Sequence, residues 1–414
     1  MVNSPYSKPV LIWSLANLFF AYQFILRLSA GILREQIMQK FAVDCASFGT
    51  LAGYYYLGYA SSQIPLGIML DRLSFRIVTS MSILATAIGT FLFISTENWN
   101  LVLFARFLIG AGSGIAFLSV AKITKTFFDE KYQPMLLGLS FTFGLTGAVF
   151  GSTPMMILFN YYGYDNTFKL LGLVAIILSA VMMIYGKIEQ KPIEGSISDV
   201  VKSIIKLVTN PNILIIGISG GLMVGALEGF ADLWGIAFFK QVYQMTDLES
   251  SAVTSFVYFG MCFGGPVLAL MAGVIRSANL MIFITGLLTV IIFVILFNIN
   301  SLTSTSAAII MFCLGILCCY QVLVFTVTAS IVESSSTGLA IAVINCMNMS
   351  FGHFFHSIIG NNFARNWDGR VDELGNAIYS PENFVYSLSI IPICCFVGQF
   401  GFIFLTWKNR KKTT

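Results

Sequence analysis

Charge is what this chain has least of. Asp, Glu, Lys and Arg make up 10% of its 414 residues. Hydrophobic residues make up 57%, and the mean hydropathy is +0.84, which excludes both a soluble domain and a disordered chain. The chain also lacks long polar stretches. Twelve crossings of a hydrocarbon core leave about 34 residues each, room for short loops and no attached soluble domain. The net charge of +4 is spread along the sequence, so no basic surface for nucleic acid is expected. There is no CxxC pair and no HExxH, and the eight cysteines form no disulfide framework. Cys262, Cys313, Cys318, Cys319, Cys346, Cys394 and Cys395 fall in apolar segments as small packing residues, while Cys45 falls in a loop. No metal and no cofactor are expected.

What is present is a succession of apolar segments. They run over about 10–33, 48–70, 77–95, 100–126, 135–160, 167–186, 212–239, 251–275, 279–298, 304–332, 336–363 and 383–407. Lipid offers no hydrogen-bonding partners, so these segments must be helices. The first lacks a small-residue cleavage site and carries Asn17, Gln23 and Arg27, so it is expected to be retained rather than cleaved as a signal peptide. Residues 187–211 form the longest connection. They divide the chain into an N-terminal six-helix half, 1–186, and a C-terminal half, 212–414. With the N-terminus cytoplasmic, 15 Lys and Arg fall on that side, Lys191, Arg410, Lys411 and Lys412 among them, against 6 on the other. Both termini inside requires an even number of crossings. Pro65 closes segment 2 and Pro266 closes segment 8, a weak echo between the halves of the kind internal repeats leave.

Between segments 2 and 3, QIPLGIMLDRLSFR places Gly67, Asp71, Arg72 and Arg76. It resembles the loop signature of the major facilitator superfamily, although Ser74 and Phe75 replace a usual glycine and basic residue. Segment 4 opens RFLIGAGSG, similar to the family's second signature, with Arg106 followed by Gly110, Gly112 and Gly114. Segment 5 has Gly151-Ser-Thr-Pro154 where the family's antiporters carry a Gly-Pro pair, a departure that leans against obligate exchange. Within the superfamily, FFAYQFILRLSAG and YYLGYASSQIPLGIMLDR look most like bacterial relatives of the lysosomal dipeptide transporter. Organophosphate:phosphate antiporters are more distantly similar. The resemblance implies an all-α membrane fold of twelve transmembrane helices in two pseudo-symmetric bundles. It implies that helices 1, 4, 7 and 10 line a cavity and helices 3, 6, 9 and 12 face lipid. It also implies that Asp71 docks near the start of helix 11 when the cytoplasmic side closes, with Ser334, Ser335, Ser336 and Thr337 as capping residues there.

The charges left inside helices are the candidates for function. Arg27 shares one helical face with Asn17 and Gln23, and a guanidinium holds carboxylate or phosphate through paired hydrogen bonds. The other reading of Arg27 is a side chain snorkelling to the interface beside Arg34 and Glu35. Glu228 and Asp232 lie four residues apart in segment 7, placed to take protons, to bind an ammonium, or to balance an internal arginine. His353 and His356, the two histidines, are either coupling residues or a packed pair near Asn345 and Asn348. Tyr54, Tyr55, Tyr56 and Trp234 could line a pocket. Gly110, Gly112 and Gly114 read as close helix packing rather than a phosphate loop.

We therefore expect a secondary active transporter working by alternating access. Arg27, Gln23, Asn17, Glu228, Asp232, Tyr55 and Trp234 would bind solute. Arg106, Glu228, Asp232, His353 and His356 would couple, and Gly67, Asp71, Arg72 and Arg76 would gate. The expected solute is a small zwitterion or anion, dipeptide-like, by proton symport; an organic anion or organophosphate is the alternative, and a transport-dead receptor a third reading. Solute, protons and the bilayer are the expected partners of a monomer in a bacterial inner membrane. A catalytic set for an intramembrane enzyme is missing.

Overall fold

The computed structural model describes residues 7–188, 196–333, 336–371 and 377–413. Helices make up nearly all of this, and the isolated bridge Val371–Ala377 is the only β-pairing among the described residues. Among the described residues, eleven helices are long and apolar enough to cross a membrane by length and composition. The remaining long one, α3 (Cys45–Arg72), has 28 residues but dilutes its apolar surface with Ser61, Ser62, Gln63, Asp71 and Arg72. Ser334, Ser335, Lys191 and part of the 187–211 connection lie outside the described residues.

The chain divides into two compact units, one of residues 1–29 with 54–194, the other of 30–53 with 195–414. In the first unit, α1 (Ser7–Ile32) supplies most of its length, followed by the later part of α3, α4 (Phe75–Ser95) and α5 (Trp99–Ser113). α6 (Ile115–Phe127), α7 (Gln133–Phe150), α8 (Thr153–Tyr162) and α9 (Tyr164–Tyr185) complete it. Segments 4 and 5 are thus each interrupted, at Gly114 and at Gly151–Ser152. Close packing explains the glycines. A Cβ on Gly110 would land on the Tyr55 carbonyl and one on Gly147 on that of Ala21, while Gly144 lies against the Phe20 ring. In lipid, such backbone approach and its dispersion contacts replace the hydrophobic drive of water.

The second unit contains α2 (Arg34–Phe41) and the start of α3. α10 (Ile197–Val208) forms a helix within the 187–211 connection, and α11 (Pro211–Met223) follows. Segment 7 then changes pitch through a 3₁₀ turn, Val224–Ala226, and a π-helix, Leu227–Trp234, before α12 (Gly235–Tyr243). α13 (Asp247–Ile275), α14 (Ala278–Asn298), α15 (Ser304–Cys318) and α16 (Tyr320–Ile331) follow. α17 (Thr337–Arg365), α18 (Pro381–Leu388) and α19 (Ile390–Thr413) end the chain. Residues 30–53 group here because Gly31 packs on the Asp232–Leu233 backbone, Gly49 on His356, and Gly360 on Cys45. Lys240 adds ion pairs to Glu35 at 3.1 Å and Asp247 at 2.8 Å.

Several expectations change. Cys45 is not in a loop; it is the buried first residue of α3. Pro65 and Pro266 do not close their helices, since α3 runs seven residues and α13 nine residues past them to Arg72 and Ile275. A proline removes one ladder bond and bends a helix, but lipid and neighbouring helices disfavour fully unwinding it. Ser336 precedes α17 without a side-chain capping bond, and the Thr337 hydroxyl instead donates to the Glu333 carbonyl at 3.3 Å. In the loop before α18, the Arg370 backbone N–H and guanidinium both reach the Asp368 carboxylate, holding it below its ordinary range.

The exposed surface fits immersion in lipid. Ile77, Met81 and Ile88 of α4, Leu170, Leu173 and Ile177 of α9, Leu288, Ile291 and Val294 of α14, and Phe396, Val397, Phe400 and Phe404 of α19 are all exposed. In water, such contiguous apolar faces would drive aggregation. These are the helices expected to face lipid.

Candidate functional site

Each unit holds its own buried polar cluster. In the first, the cluster is cationic. Arg27, on α1, is 7% exposed, and its Nε donates to the Tyr56 hydroxyl at 3.1 Å. Its guanidinium lies over the Tyr56 and Phe24 rings, 5.0 and 5.4 Å from their centroids. The charge is enclosed by side chains rather than extended to an interface, which disfavours the snorkelling reading.

Arg106, on α5, is 3% exposed and reaches across to α1. Its two Nη atoms donate to the carbonyl oxygens of Leu26 and Arg27, both at 2.7 Å, while the guanidinium caps the Tyr55 ring at 4.9 Å. Each such charge-assisted bond is worth about 1.5–3 kcal/mol where water is excluded. Arg106 therefore holds the backbone that carries Arg27. The Tyr55 hydroxyl donates in turn to Gln23 Oε1 at 2.6 Å. Gln23, Arg27, Tyr55, Tyr56 and Arg106 form one network.

Asn17 stands apart. It lies about 15 Å up the helix axis from Arg27, and its Nδ2 donates to the Trp13 carbonyl of its own helix at 2.8 Å. The gating residues sit elsewhere in this unit. Asp71 accepts from Lys122 Nζ at 2.7 Å, Arg76 lies beside Gly186, and a Cβ on Gly67 would meet open space.

In the second unit the cluster is acidic. Glu228 and Asp232 are 1% and 4% exposed, both on the π-helix. Here backbone bonds skip to i+5, a geometry that is rare and concentrated at functional sites. Glycines permit the distortion: Gly225 and Gly229 lie against Phe355 of α17, and Gly235 against the Phe230 carbonyl. The Tyr258 hydroxyl of α13 donates to Asp232 Oδ1 at 2.6 Å, and Cys318 and Tyr320 lie within electrostatic reach of Glu228.

Trp234 is fully buried, stacked on Phe363 with centroids 4.8 Å apart and edge-on to Phe48 at 5.8 Å, the surroundings of a packing residue. His353 rests its ring on Gly53, and His356 is buried with its carbonyl against Gly49. Residue patterns singled out neither Tyr258 nor Tyr320; a lone tyrosine in an apolar helix carries no signal until its partner is known.

The sequence matches the Major Facilitator Superfamily over residues 15–355. This chain belongs to that superfamily. Its fold agrees. The bacterial homologue of the human lysosomal transporter Spinster, in an inward-facing and unoccupied conformation, superposes with a TM-score of 0.73 at 14% identity, covering 96% of this chain and 98% of that one. The nucleoside transporter NupG superposes at 0.72 and 14% identity, over 94% and 99%. Among curated proteins, the potential vesicular glutamate transporter vglu-3 of Caenorhabditis elegans is 22% identical over 60% of this chain and 52% of its own length. The L-fucose-proton symporter of Escherichia coli K12 is 28% identical over 33% and 31%. The chain thus aligns with about half of the one relative and under a third of the other. These superfamily relatives are transporters, not enzymes.

Proposed function

We propose that this superfamily member is a secondary active transporter for a small organic solute bearing a carboxylate, zwitterionic and dipeptide-like, moved by alternating access with protons as co-substrate. The observation that carries the reading is Arg27. It is a permanent charge inside a membrane helix, and a second arginine is committed to bracing the backbone that presents it. Such an arrangement suits an anion that must be bound bidentately and released again. Glu228 and Asp232, set on the π-helix, are the proton or ammonium acceptors. Relatives named for glutamate and for fucose with protons agree with a carboxylate solute and with proton coupling.

The wider expectations stay part of this proposal. Two six-helix halves, 1–186 and 212–414, are joined by 187–211. Gly67, Asp71, Arg72 and Arg76 gate, and His353 and His356 assist coupling. A monomer sits in a bacterial inner membrane with both termini inside, as the 15-to-6 distribution of Lys and Arg favours. The second reading, a phosphorylated or carboxylated metabolite in exchange, rests on the same arginine.

The test is uptake of a labelled dipeptide into proteoliposomes, with and without an inward proton gradient, by wild type and Arg27→Gln. Saturable, gradient-stimulated uptake that Arg27→Gln abolishes supports the proposal. Folded protein that ignores dipeptides but exchanges organic phosphates would replace it with the second reading.

A further inference from the structure

Four apolar helices of the second unit stop at one level. α11 begins at Pro211 and α14 at Ala278, α16 ends at Ile331, and the last apolar span runs out at Lys408. Their ends enclose a cavity of about 310 Å³ lined by Asn212, Ser277, Asn279, Thr326, Ser330 and Leu405, with smaller apolar contributions beside them. Spans end where hydrocarbon ends, so this cavity lies at headgroup depth. Around it Trp407, Phe404 and Leu280 are exposed, an apolar collar with an aromatic residue of the interfacial kind.

The cavity offers two chemistries. Its lining residue Asn212 accepts from Lys408, which adjoins the cavity, Nζ to Oδ1 at 2.8 Å. An ammonium has three N–H donors, so others remain for a ligand. Asn279 Oδ1 is buried there without a hydrogen-bond partner, an acceptor that a ligand N–H would satisfy. The last turn of α16 also lines the cavity. The Thr326 and Ser330 hydroxyls donate to the carbonyls of Val322 and Val327, at 3.1 and 2.8 Å, and so turn lone pairs outward. Lys408 suits a phosphate; the Thr326 and Ser330 hydroxyls and Asn279 Oδ1 suit a group with N–H donors.

We infer that this cavity holds the headgroup of a zwitterionic phospholipid with a primary ammonium. The phosphate lies against Lys408, the ammonium against Thr326 and Ser330 with Asn279 Oδ1 as a further acceptor, and the acyl chains run down the collar. Nothing in this inference depends on the transported solute.

The experiment is thermal unfolding and native mass spectrometry of the full-length protein in detergent. Dioleoyl phosphatidylethanolamine, the matching phosphatidylcholine, dioleoylglycerol and inorganic phosphate are added separately. Phosphatidylethanolamine should bind and raise the unfolding midpoint, the choline lipid should bind about tenfold more weakly for want of N–H donors, and dioleoylglycerol should do neither. Lys408→Gln should weaken both phospholipids, Lys408→Arg should restore them, and Thr326→Val with Ser330→Ala should erase the preference for ethanolamine. Ser330→Trp, at an exposed position that tolerates size, fills the cavity and should abolish binding. Undiminished adducts on Ser330→Trp, an equal effect of dioleoylglycerol, or the full shift from inorganic phosphate alone would each overturn the inference.

Discussion

The two polar clusters solve the same problem in opposite ways. In the first unit, a charge rides on a regular helix, and α5 sends a second arginine to grip that helix by its backbone. In the second unit, the acids ride on a helix whose own hydrogen bonding has shifted to i+5, and the Tyr258 hydroxyl donates to Asp232. A guanidinium is planar, never loses its charge, and can be enclosed by rings and hydroxyls. A carboxylate that is to gain and lose a proton needs surroundings that tolerate both states. The difference teaches that a buried cation can be positioned by gripping its helix's backbone and buried acids by changing the pitch of theirs.

The largest effect should come from the cationic side. Arg27→Lys keeps a positive charge but loses the paired donors, and uptake should fall by about a hundredfold at unchanged expression. Normal uptake by that variant would remove Arg27 from the site. Next, Glu228→Gln combined with Asp232→Asn should give uptake that no longer varies with pH, read in proteoliposomes across a pH series. Persistent pH dependence would move the proton to other residues and dissolve the contrast.

Bracing can be separated from binding. Arg106→Leu leaves the Leu26 and Arg27 carbonyls without their long-range donor and should cost about 3–6 kcal/mol for the two bonds, visible as a lowered thermal midpoint. Gly147→Val would drive a side chain into the Ala21 backbone and cost about 1–3 kcal/mol, testing whether α1 is held by packing as well. The smallest effect belongs to Asp71→Asn. Its pair with Lys122 is partly exposed, at 47% for the aspartate, so stability should change by less than about 1 kcal/mol. A larger loss of transport than of stability would mark Asp71 as a gate.

Much of the fold was legible because a lipid solvent writes one strong rule into composition. Segment 6, expected over 167–186, is α9 from Tyr164 to Tyr185, and segment 9, expected over 279–298, is α14 from Ala278 to Asn298. The rule fails where backbone and side chains bargain locally. Pro65 looked like a terminus because proline disfavours helix in water, yet α3 continues past it. Nothing in LEGFADLW announces a π-helix, since a shift of hydrogen bonding by one residue depends on what Phe355 and Tyr258 press against it. The same limit applies to side-chain partners: the expectation for Asn17 rested on sharing a face with Arg27, and no pattern shows that its Nδ2 donates to the Trp13 carbonyl one turn back.

The amino-acid sequence by itself determined the environment, the number and order of apolar segments, and the four charges, Arg27, Arg106, Glu228 and Asp232, that had to be buried in them. Burial of a charge is costly enough to be visible one residue at a time. Tertiary structure alone decided the partners: that Arg106 serves Arg27 through the backbone, that Tyr258 donates to Asp232, and that segment 7 changes pitch. Those choices turn on contacts between residues far apart in the chain, each worth only about 1–3 kcal/mol, and no local pattern encodes them.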